Sequence, residues 1–597
     1  MKKIAWVNDS MNTIVPPLIT KNGQRVLEKR YLKRVNDRYE TIDSMFRRVA
    51  KRVASAESLY SSGPETQIME QDFFRAMAAL EFLPNSPTLL NSDLDGQIAS
   101  CFVLPVGDSI DEIFEAVKNT ARVHQSCGGT GFSFSRIRPE GDVVHDQPGI
   151  APGPVPFIQA FSLASNLVKQ GGVRQGCNIG ILNVDHPDIL KFIAMKDDPE
   201  YLTNFCISVA ITDKFLDALF TGGDYDLINP RTGQIQGYLN AQFVFDKITN
   251  QSWKTGDPGL IFIDRINRDQ PTPILGKIEA VTSCAEQVLL PFECCHLGSI
   301  NLAKMLKNST DGTLVIDYPK IARTARLGIR FLDDCIDINN YPLPQIEEAT
   351  KRTRKIGLSV MGYADMLVML EIPYDSDLAL ETANKIMRLI DDEAHIASQE
   401  LAQKRGVFPA YSGSKYDRPN GQRLRNASCT MIAPTGSLSL IAGCNNGIEP
   451  FFSMVFVRNI LDGEHLLEVN PYFETYAREN GFFSEDLLYR LVQGENLRDV
   501  PGIPEAAKRI FVTTNQVKPE WHVRTQGVFQ KNIDGAIAKM INVPASTTPQ
   551  EIGEIFLMAY REGVKGVTAY RDTSRKIQSL CNDENGCDLV RDYMRKL

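Results

Sequence analysis

The chain has 597 residues, of which 43% are hydrophobic and 23% charged, the composition of an ordinary globular enzyme. Its formal net charge of -8 argues against duplex nucleic acid or an anionic membrane as the main partner, because such partners require a broad basic face. The first ten residues carry no apolar signal segment and no run is long enough to span a bilayer, so a cytoplasmic protein is predicted. The 12 scattered cysteines favour a reducing compartment, where disulfides are transient.

The first part of the chain, to about residue 95, is predicted to be helical. Apolar residues recur at three- and four-residue spacing over 28–35, 41–57 and 67–80. Turn residues then lead into an apolar, β-rich run, so we predict that Cys101 starts or lies on a strand.

Two glycine-rich loops follow. The first, over 126–131, comes after a helix predicted at 111–125; it allows close approach of the backbone to a ligand, although it equally suits a simple chain turn. The second, over 171–180, follows an amphipathic helix at 157–169 and carries Arg174. Its guanidinium suits a base edge or a phosphate, with a solvated loop arginine as the open alternative.

Strands and helices alternate from 181 to 275, and helices are predicted at 319–338, 345–370 and 378–405. Alternation on this scale indicates an α/β fold with a largely parallel sheet.

The stretch from 282 to 302 concentrates reactive side chains. Cys284 and Glu286 are two positions apart, so one short loop can aim both into one pocket, the thiol for hydrogen-atom or covalent chemistry and the carboxylate as a general base. Cys294 and Cys295 follow closely. The alternative is that small buried cysteines fill a core.

A candidate anion site begins at Pro434. Pro434-Thr435-Gly436-Ser437-Leu438 follows an apolar run and opens a helix, whose N-terminus offers backbone N–H groups to an anion. An ordinary helix cap is the alternative.

These strings together resemble the ribonucleotide reductases. The stretch Thr282-Ser283-Cys284-Ala285-Glu286, with Cys295-His296-Leu297-Gly298-Ser299-Ile300-Asn301-Leu302 beginning eleven residues after Cys284, is similar to the family's finger loop. Further similar strings lie at 22–32, 431–450, 523–546 and 563–572, so the resemblance runs from about 22 to 575. One position departs from the family, whose asparagine is replaced by Thr282.

The resemblance implies a fold and a domain layout. We expect an N-terminal helical region over 1–95 and, over 96–575, a ten-stranded α/β barrel of two five-stranded half-barrels around a central finger loop. A tail over 576–597 carries Cys581 and Cys587. Only 21 residues precede Asn22, so we expect no nucleotide-sensing cone and no inhibition by dATP at such a site.

It also implies roles for individual residues. By analogy Cys284 becomes the thiyl radical that removes the ribose 3′ hydrogen, Glu286 takes the 3′-hydroxyl proton, and Cys101 and Cys295 reduce the substrate by forming a disulfide, with Thr282 beside them. Expected substrate contacts are Ser86, Ser100, Gly129, Pro434, Thr435, Gly436, Ser437 and Leu438. Expected specificity-loop residues are Gly172, Arg174, Gln175 and Asn178, and the expected redox shuttle is Cys581 with Cys587.

The radical source divides this family. Metal-radical members have two adjacent tyrosines near the C-terminus where this chain has Tyr570 alone, and the glycyl-radical string Arg-Val-x-Gly-Tyr is absent. The adenosylcobalamin-dependent type remains, with adenosylcobalamin as cofactor and no other metal site. The implied partners are a ribonucleoside di- or triphosphate substrate, a deoxynucleotide or ATP effector, a thioredoxin-like reductant and a second copy of the chain.

Two alternatives stay open at this point. One is a metal-radical catalytic subunit that needs a partner chain. The other is a nucleotide-binding paralogue that has lost turnover, because Thr offers one short hydroxyl where an Asn amide offers two donors and an acceptor.

Overall fold

A computed structural model describes residues 19–35, 38–61, 63–93, 96–144, 150–168, 176–198, 201–460, 464–574, 580–581 and 586–595. No helix within these ranges combines the length and apolar character needed to cross a membrane.

The first half of the central sheet contains five parallel strands, each hydrogen-bonded to the next. They are Cys101–Val103, Gly129–Ser133, Asn178–Asn183, Phe205–Ile211 and Gly259–Phe262. Nearly all of their residues are buried, as expected for parallel strands covered on both faces.

The second half is also parallel and joins the first half at two antiparallel seams. Its strands are Cys294–Asn301, Ile356–Met361, Met540–Val543 and Gly566–Arg571. Parallel bridges from Leu358 to Thr430 and from Ile432 to Ile537 insert the segment 430–432 as its fifth member. Cys294–Asn301 pairs antiparallel with Cys101–Val103, and Gly566–Arg571 with Gly259–Phe262, which closes the ring. The predicted ten-stranded barrel of two half-barrels is confirmed.

Helices cover the outside of the barrel. Those beside the first half are Ile110–Gln125, Pro154–Leu167, Ile189–Ala194, Asp213–Thr221, Ala241–Thr255 and Ile263–Asp269. Those that follow are Tyr318–Ile338, Pro344–Thr353, Tyr363–Met369, Asp377–Arg405, Gly436–Ala442, Pro471–Glu479, Glu485–Val492, Glu505–Ile510, Pro519–Gln530, Pro549–Arg561 and Gly586–Met594. One apolar cluster fills the barrel interior, and two larger clusters lie between the barrel and its outer helices.

The N-terminal region is helical, as predicted. Its helices are Lys21–Arg30, Ile42–Ala54, Gly63–Ala78 and Ser86–Asn91. Shorter strands elsewhere are Arg34–Val35, Arg38–Tyr39, Phe82–Pro84, Asp224–Ile228, Ile235–Asn240, Ala280–Val281, Val288–Leu289, Leu306–Asn308, Leu314–Ile316, Val455–Ile460, Glu464–Val469 and Leu580–Cys581. Single 3-10 turns are Ser55–Leu59, Pro273–Leu275, Leu302–Lys304 and Leu497–Asp499.

Three local predictions were wrong. The helix predicted over 345–370 is interrupted by the barrel strand Ile356–Met361, because Arg354 adopts a left-handed φ of 49° that ends the preceding helix. The first helix ends at Arg30 instead of continuing to residue 35. The glycine-rich turn is confined to Gly128, since Gly129 already belongs to a strand.

A buried ion network ties the N-terminal region to the barrel's outer helices. Arg405 lies 2.8 Å from Glu57, 2.9 Å from Asp333 and 2.7 Å from Asp334. Arg354 adds a second cation 2.8 Å from Asp333. Burial alone would raise the pKa of Asp333, but the surrounding arginines lower it to about 2. The network therefore keeps this carboxylate charged.

Candidate active site

A hairpin carries the finger loop, residues 282–287, inside the barrel. Its strands Ala280–Val281 and Val288–Leu289 pair antiparallel. At the tip the Ala285 N–H donates to the Thr282 carbonyl at 2.8 Å, which closes a tight turn. Ala285 has a φ of 63°, a conformation that favours glycine, so the tip is held in a strained geometry.

Two glycines of the strand Gly129–Ser133 let the hairpin approach the barrel wall. A Cβ on Gly129 would lie 2.7 Å from the Ser283 hydroxyl, and one on Gly131 would overlap the Val281 carbonyl. Side chains at these two positions would push the finger loop away from the wall.

Glu286 is buried. Among the described residues, one of its carboxylate oxygens accepts a hydrogen bond and the other has no partner. Its Oε1 accepts a hydrogen bond from the Cys101 thiol at 3.3 Å. Its Oε2 has no hydrogen-bond partner among the residues that the structure describes. Burial raises the pKa of Glu286, and hydrogen bonds from Cys101 and Thr282 oppose that rise. An unpartnered buried carboxylate oxygen is costly unless a ligand completes it.

Cys101 and Cys295 face each other across an antiparallel seam of the barrel. They are direct partners in the strand register, and both thiols are reduced. Directly opposed residues have Cα atoms about 4.5–5.5 Å apart, inside the range of about 4.4–6.8 Å that a disulfide spans. Burial raises the pKa of each thiol well above its usual value, so each retains its proton.

Cys284 is exposed at the tip of the finger loop. A hydrogen bond with Cys177 is the largest of several causes that raise its pKa, followed by burial and by the charge of Glu286. The sulfur is therefore a protonated thiol that a ligand can reach.

Thr282 supports the base. Its side chain is fully buried, its hydroxyl oxygen accepts the Gln287 N–H at 3.2 Å, and the nearby hydroxyl lowers the pKa of the Glu286 carboxyl. The one short hydroxyl at this position is thus used both as an acceptor and toward the carboxylate.

The expected phosphate loop lies where the chain leaves the barrel interior. Thr435 has a left-handed φ of 51° and its hydroxyl accepts the Gly447 N–H at 2.8 Å. No side chain caps the helix Gly436–Ala442, and nothing lies within 4 Å of a Cβ placed on Gly436. The start of this helix therefore has no side-chain cap and has free space on the Cβ side of Gly436.

Two residues beside this loop were missed by the sequence reasoning. Arg30 donates from Nη1 to the Ser437 hydroxyl at 3.4 Å, and the Tyr31 hydroxyl bonds to Ser86 at 2.8 Å. Both stand in the segment 22–32, which the resemblance singled out without giving them a role. The signal that could have found Arg30 is its positive charge, which suits a site for an anion.

Other expected residues are only partly located. Ser100 lies beside the finger loop, where its carbonyl accepts the Gly129 N–H at 2.9 Å. Asn178 is fully buried in a strand, where its side chain bonds to Thr130 at 2.7 Å and Asn204 at 3.2 Å. Gly172, Arg174 and Gln175, and the side chains of Cys581 and Cys587, lie outside the described residues.

A separate group of ligand-type side chains contains His395, Cys429 and Asp534, whose ligand atoms lie within 4.8 Å of one another. Burial would lower the pKa of His395, but Asp534 and Asp391, 3.3 and 3.4 Å away, raise it strongly. In this state the protonated imidazole forms an ion pair with Asp391 and Asp534.

Comparison with known proteins places this architecture. Residues 99–570 match the family described as ribonucleotide reductase, barrel domain, and residues 18–97 match the all-alpha domain of ribonucleotide reductase. The chain is 45% identical to a vitamin B12-dependent ribonucleoside-diphosphate reductase of Thermoplasma acidophilum, over 97% of this chain and 81% of that protein. It is 44% identical to a protein of the same name from Mycobacterium tuberculosis, over 93% and 80%.

A solved structure is also similar. The alpha subunit of the class Id ribonucleotide reductase of Actinobacillus ureae superposes with a TM-score of 0.75, at 22% identity and over 94% of this chain and 98% of that chain. At this identity the similarity supports the fold alone.

Proposed function

The chain belongs to the ribonucleotide reductases, and on that premise we propose that Cys284, Glu286, Cys101 and Cys295 carry its reaction. The enzyme reduces ribonucleotides to 2′-deoxyribonucleotides and depends on adenosylcobalamin. The observation that supports the residue roles is the convergence of an exposed thiol, a carboxylate with an unpartnered oxygen and a pair of opposed thiols at one point inside the barrel.

The residues present fit such a cofactor. Adenosylcobalamin, when bound, supplies the radical that takes a hydrogen atom from a thiol. Cys284 offers an exposed thiol, whereas Cys101 and Cys295 in the same site are buried. The raised pKa of Cys284 keeps on the sulfur the hydrogen that has to be removed.

The chain's own groups divide the remaining work. Cys284, as a thiyl, takes the 3′ hydrogen of the ribose and later returns it. Glu286 Oε2 accepts the 3′-hydroxyl proton, and the Cys101 thiol, bonded to Oε1 of the same carboxylate, is placed to protonate the departing 2′-hydroxyl. Cys101 and Cys295 end as a disulfide, so the two thiols supply two electrons and two hydrogens: one hydrogen replaces the hydroxyl on C2′ and the other leaves with that hydroxyl as water.

We assign a ribonucleoside diphosphate as the substrate, because the two relatives at 44–45% identity are named for that substrate. We propose that the uncapped helix start at Gly436, with the nearby guanidinium of Arg30, holds its phosphates. Ser86, Ser100 and Gly129 would contact the rest of the nucleotide.

Turnover of the purified chain tests this proposal. Ribonucleoside diphosphates with dithiothreitol and adenosylcobalamin should give deoxyribonucleoside diphosphates by chromatography, and triphosphates should react more slowly. Hydroxocobalamin, which lacks the cobalt–carbon bond, is the matched control. Product formed without adenosylcobalamin, or only after a second protein is added, would reject it.

The metal-radical alternative is disfavoured. The relatives at 44–45% identity are named as vitamin B12-dependent, whereas the class Id subunit shares 22% identity. The impaired-paralogue alternative predicts nucleotide binding without product, which the same assay detects.

Exposed apolar side chains support a dimer. Ile110 and Phe114 on one helix, and Leu163 and Leu167 on the helix packed beside it, are all more than half exposed. A second copy would cover them. In the sequence, the helix Pro154–Leu167 precedes the proposed specificity-loop residues 172–175, so we propose that an effector bound at this interface acts on substrate choice. Sedimentation of Leu167→Glu against Leu378→Glu, an exposed leucine elsewhere, tests the interface.

The tail cysteines and the cytoplasmic location remain predictions. If Cys581 and Cys587 pass electrons from a thioredoxin-like protein to the barrel, Cys587→Ser will lose turnover driven by thioredoxin and keep turnover driven by dithiothreitol. Equal loss with both reductants would contradict a shuttle. A cytoplasmic location agrees with a reaction that consumes reduced thiols.

A further inference from the structure

Two segments that resemble the reductases, 523–546 and 563–572, take no part in the reaction described above. They meet at Lys565, which comes directly before the barrel strand Gly566–Arg571. Its side chain is only 3% exposed, and a lysine is rarely buried unless its charge is paired. The partners of its ammonium group therefore indicate what this lysine does.

The Lys565 ammonium has three acceptors. Its Nζ donates to the Asp534 carbonyl at 2.7 Å and to the Gly535 carbonyl at 3.1 Å, and it lies 3.1 Å from the Asp269 carboxylate. An ammonium carries three N–H donors, so each of them has an acceptor. One buried side chain thus holds two successive peptide carbonyls of the segment 534–536.

The last residue of this segment contacts the finger loop. The Ala536 N–H donates to the Glu286 carbonyl at 2.9 Å, and a Cβ on Gly535 would lie 3.2 Å from the same carbonyl. Glu286 follows Ala285, whose strained left-handed φ persists only where the surrounding structure holds it. The hydrogen bond from Ala536 therefore helps to fix the residue that carries the base.

The Asp534 side chain anchors the same segment to the barrel. Its Oδ2 accepts the Cys429 N–H at 2.8 Å and lies 3.3 Å from the His395 imidazole. The Asp534 N–H in turn donates to the Thr430 hydroxyl at 3.1 Å. These contacts hold the side chain and the N–H of Asp534, whereas Lys565 holds its carbonyl.

We propose that Lys565 is a positioning residue for the general base: by holding the Asp534 and Gly535 carbonyls, it fixes the Ala536 N–H that binds the Glu286 carbonyl. The proposal rests on the role given to Glu286 under the proposed function. The alternative is that Lys565 only stabilises the barrel where its last strand begins. Its loss would then lower stability and leave the kcat of the folded protein unchanged.

Amide hydrogen exchange of the chain without nucleotide or cofactor tests the contact without turnover. In Lys565→Met the two carbonyls lose their donor, so the peptide that contains Ala536 should exchange at least about tenfold faster by mass spectrometry. Lys196→Met is the matched control, because Lys196 is also buried and donates to the Phe205 carbonyl at 2.6 Å and the Asp257 carboxylate at 2.8 Å. It should leave the Ala536 peptide unchanged.

Two results of the exchange experiment would overturn the proposal. One is an Ala536 peptide that exchanges equally fast in the wild type and in Lys565→Met. The other is a rise in Lys565→Met that the strand Phe205–Ile211 shares, because it would indicate general loosening of the barrel.

A double-mutant cycle tests whether Lys565 acts through Glu286. In the wild-type background Lys565→Met should lower kcat about 10- to 100-fold with KM unchanged, because a small misplacement of a catalytic group can cost about 10²-fold. In the Glu286→Gln background the same substitution should lower the single-turnover rate less than about threefold, since the base that it positions is already absent. Equal factors in the two backgrounds would refute positioning of the base.

Gly535→Ala provides a second variant if Lys565→Met does not fold. Its methyl group approaches the Glu286 carbonyl without removing a charge, so it should also lower kcat in the wild-type background and have little effect in Glu286→Gln. An equal loss in both backgrounds would count against the proposal. If Glu286→Gln keeps the wild-type kcat, the role of Glu286 in the proposed function fails, whereas the exchange result still decides whether Lys565 holds the segment.

Discussion

Two buried carboxylates in this protein have opposite surroundings. Asp333 in the ion network is contacted by three arginines, which lower its pKa to about 2. Glu286 in the finger loop has a raised pKa, and among the residues that the structure describes it has no cationic hydrogen-bond partner and one oxygen without any partner. A buried carboxylate that is paired with cations can hold structural elements together. A buried carboxylate without a cationic partner is available to a substrate.

Of the substitutions compared here, the one at Cys284 should reduce turnover most, because the finger loop presents its sulfur to the substrate. Cys284→Ser should abolish turnover, because a serine O–H bond is too strong to yield its hydrogen atom in place of a thiol. The melting temperature and nucleotide binding should stay near wild type, because the side chain is exposed. Deoxynucleotide formation above background would contradict the role of the sulfur.

Glu286→Gln tests the unmatched carboxylate directly. Loss of a general base should lower kcat by about 10²–10⁴-fold, with little change in unfolding free energy, because no ion pair is broken. Single-turnover rates and denaturant unfolding measure the two quantities. A drop in stability comparable with that of Arg405→Met would mean that Glu286 is structural.

Arg405→Met tests the matched charges. Removal of this cation takes from Asp334 its ion-pair partner among the described residues and leaves Glu57 and Asp333 with Arg330, Arg354 and Arg425, so the unfolding free energy should fall by about 3–5 kcal/mol. Denaturant titration measures it. Arg326→Met, which removes a half-exposed arginine from two surface ion pairs, is the control and should cost about 1 kcal/mol or less.

As the pH falls, turnover should be lost at a higher pH than the fold. Because the pKa of Glu286 is raised, its base form is lost first as the pH falls, and kcat should decline while the fold persists. The pKa of Asp333 is lowered, so the stability it contributes is present above its unfolded pKa of about 3.9 and is lost only as the pH falls toward about 2. Turnover and circular dichroism between pH 4 and 8 compare them; coincident loss would contradict the distinction.

The smallest effect is expected at Thr282. Its hydroxyl lowers the pKa of Glu286, so Thr282→Val should raise that pKa further and move the acid limb of kcat upward by about 0.4–1 pH unit. Thr282→Ser retains the hydroxyl and should keep the wild-type limb. An unshifted limb in the valine variant would show that this hydroxyl does not support the base.

The alternation of strands and outer helices was predictable from their periodicities, whereas the ten-stranded barrel was predicted from the resemblance to the reductases. The site was harder to predict. Cys284 and Glu286 are close in sequence, but Cys101 joins them only through a barrel seam that no local pattern encodes. Ile356–Met361 was missed because a short apolar run between two helical segments resembles either structure, and Arg30 because its partner Ser437 lies 407 residues away.

Because Cys101 and Cys295 lie at an antiparallel seam of the barrel, oxidation of the two thiols would also change how firmly the two half-barrels are joined. These cysteines lie on strands from opposite halves of the barrel, so a disulfide between them would cross-link one half to the other. Each catalytic cycle would then lock the scaffold and each re-reduction would release it, and the oxidised protein should resist unfolding more strongly than the reduced one.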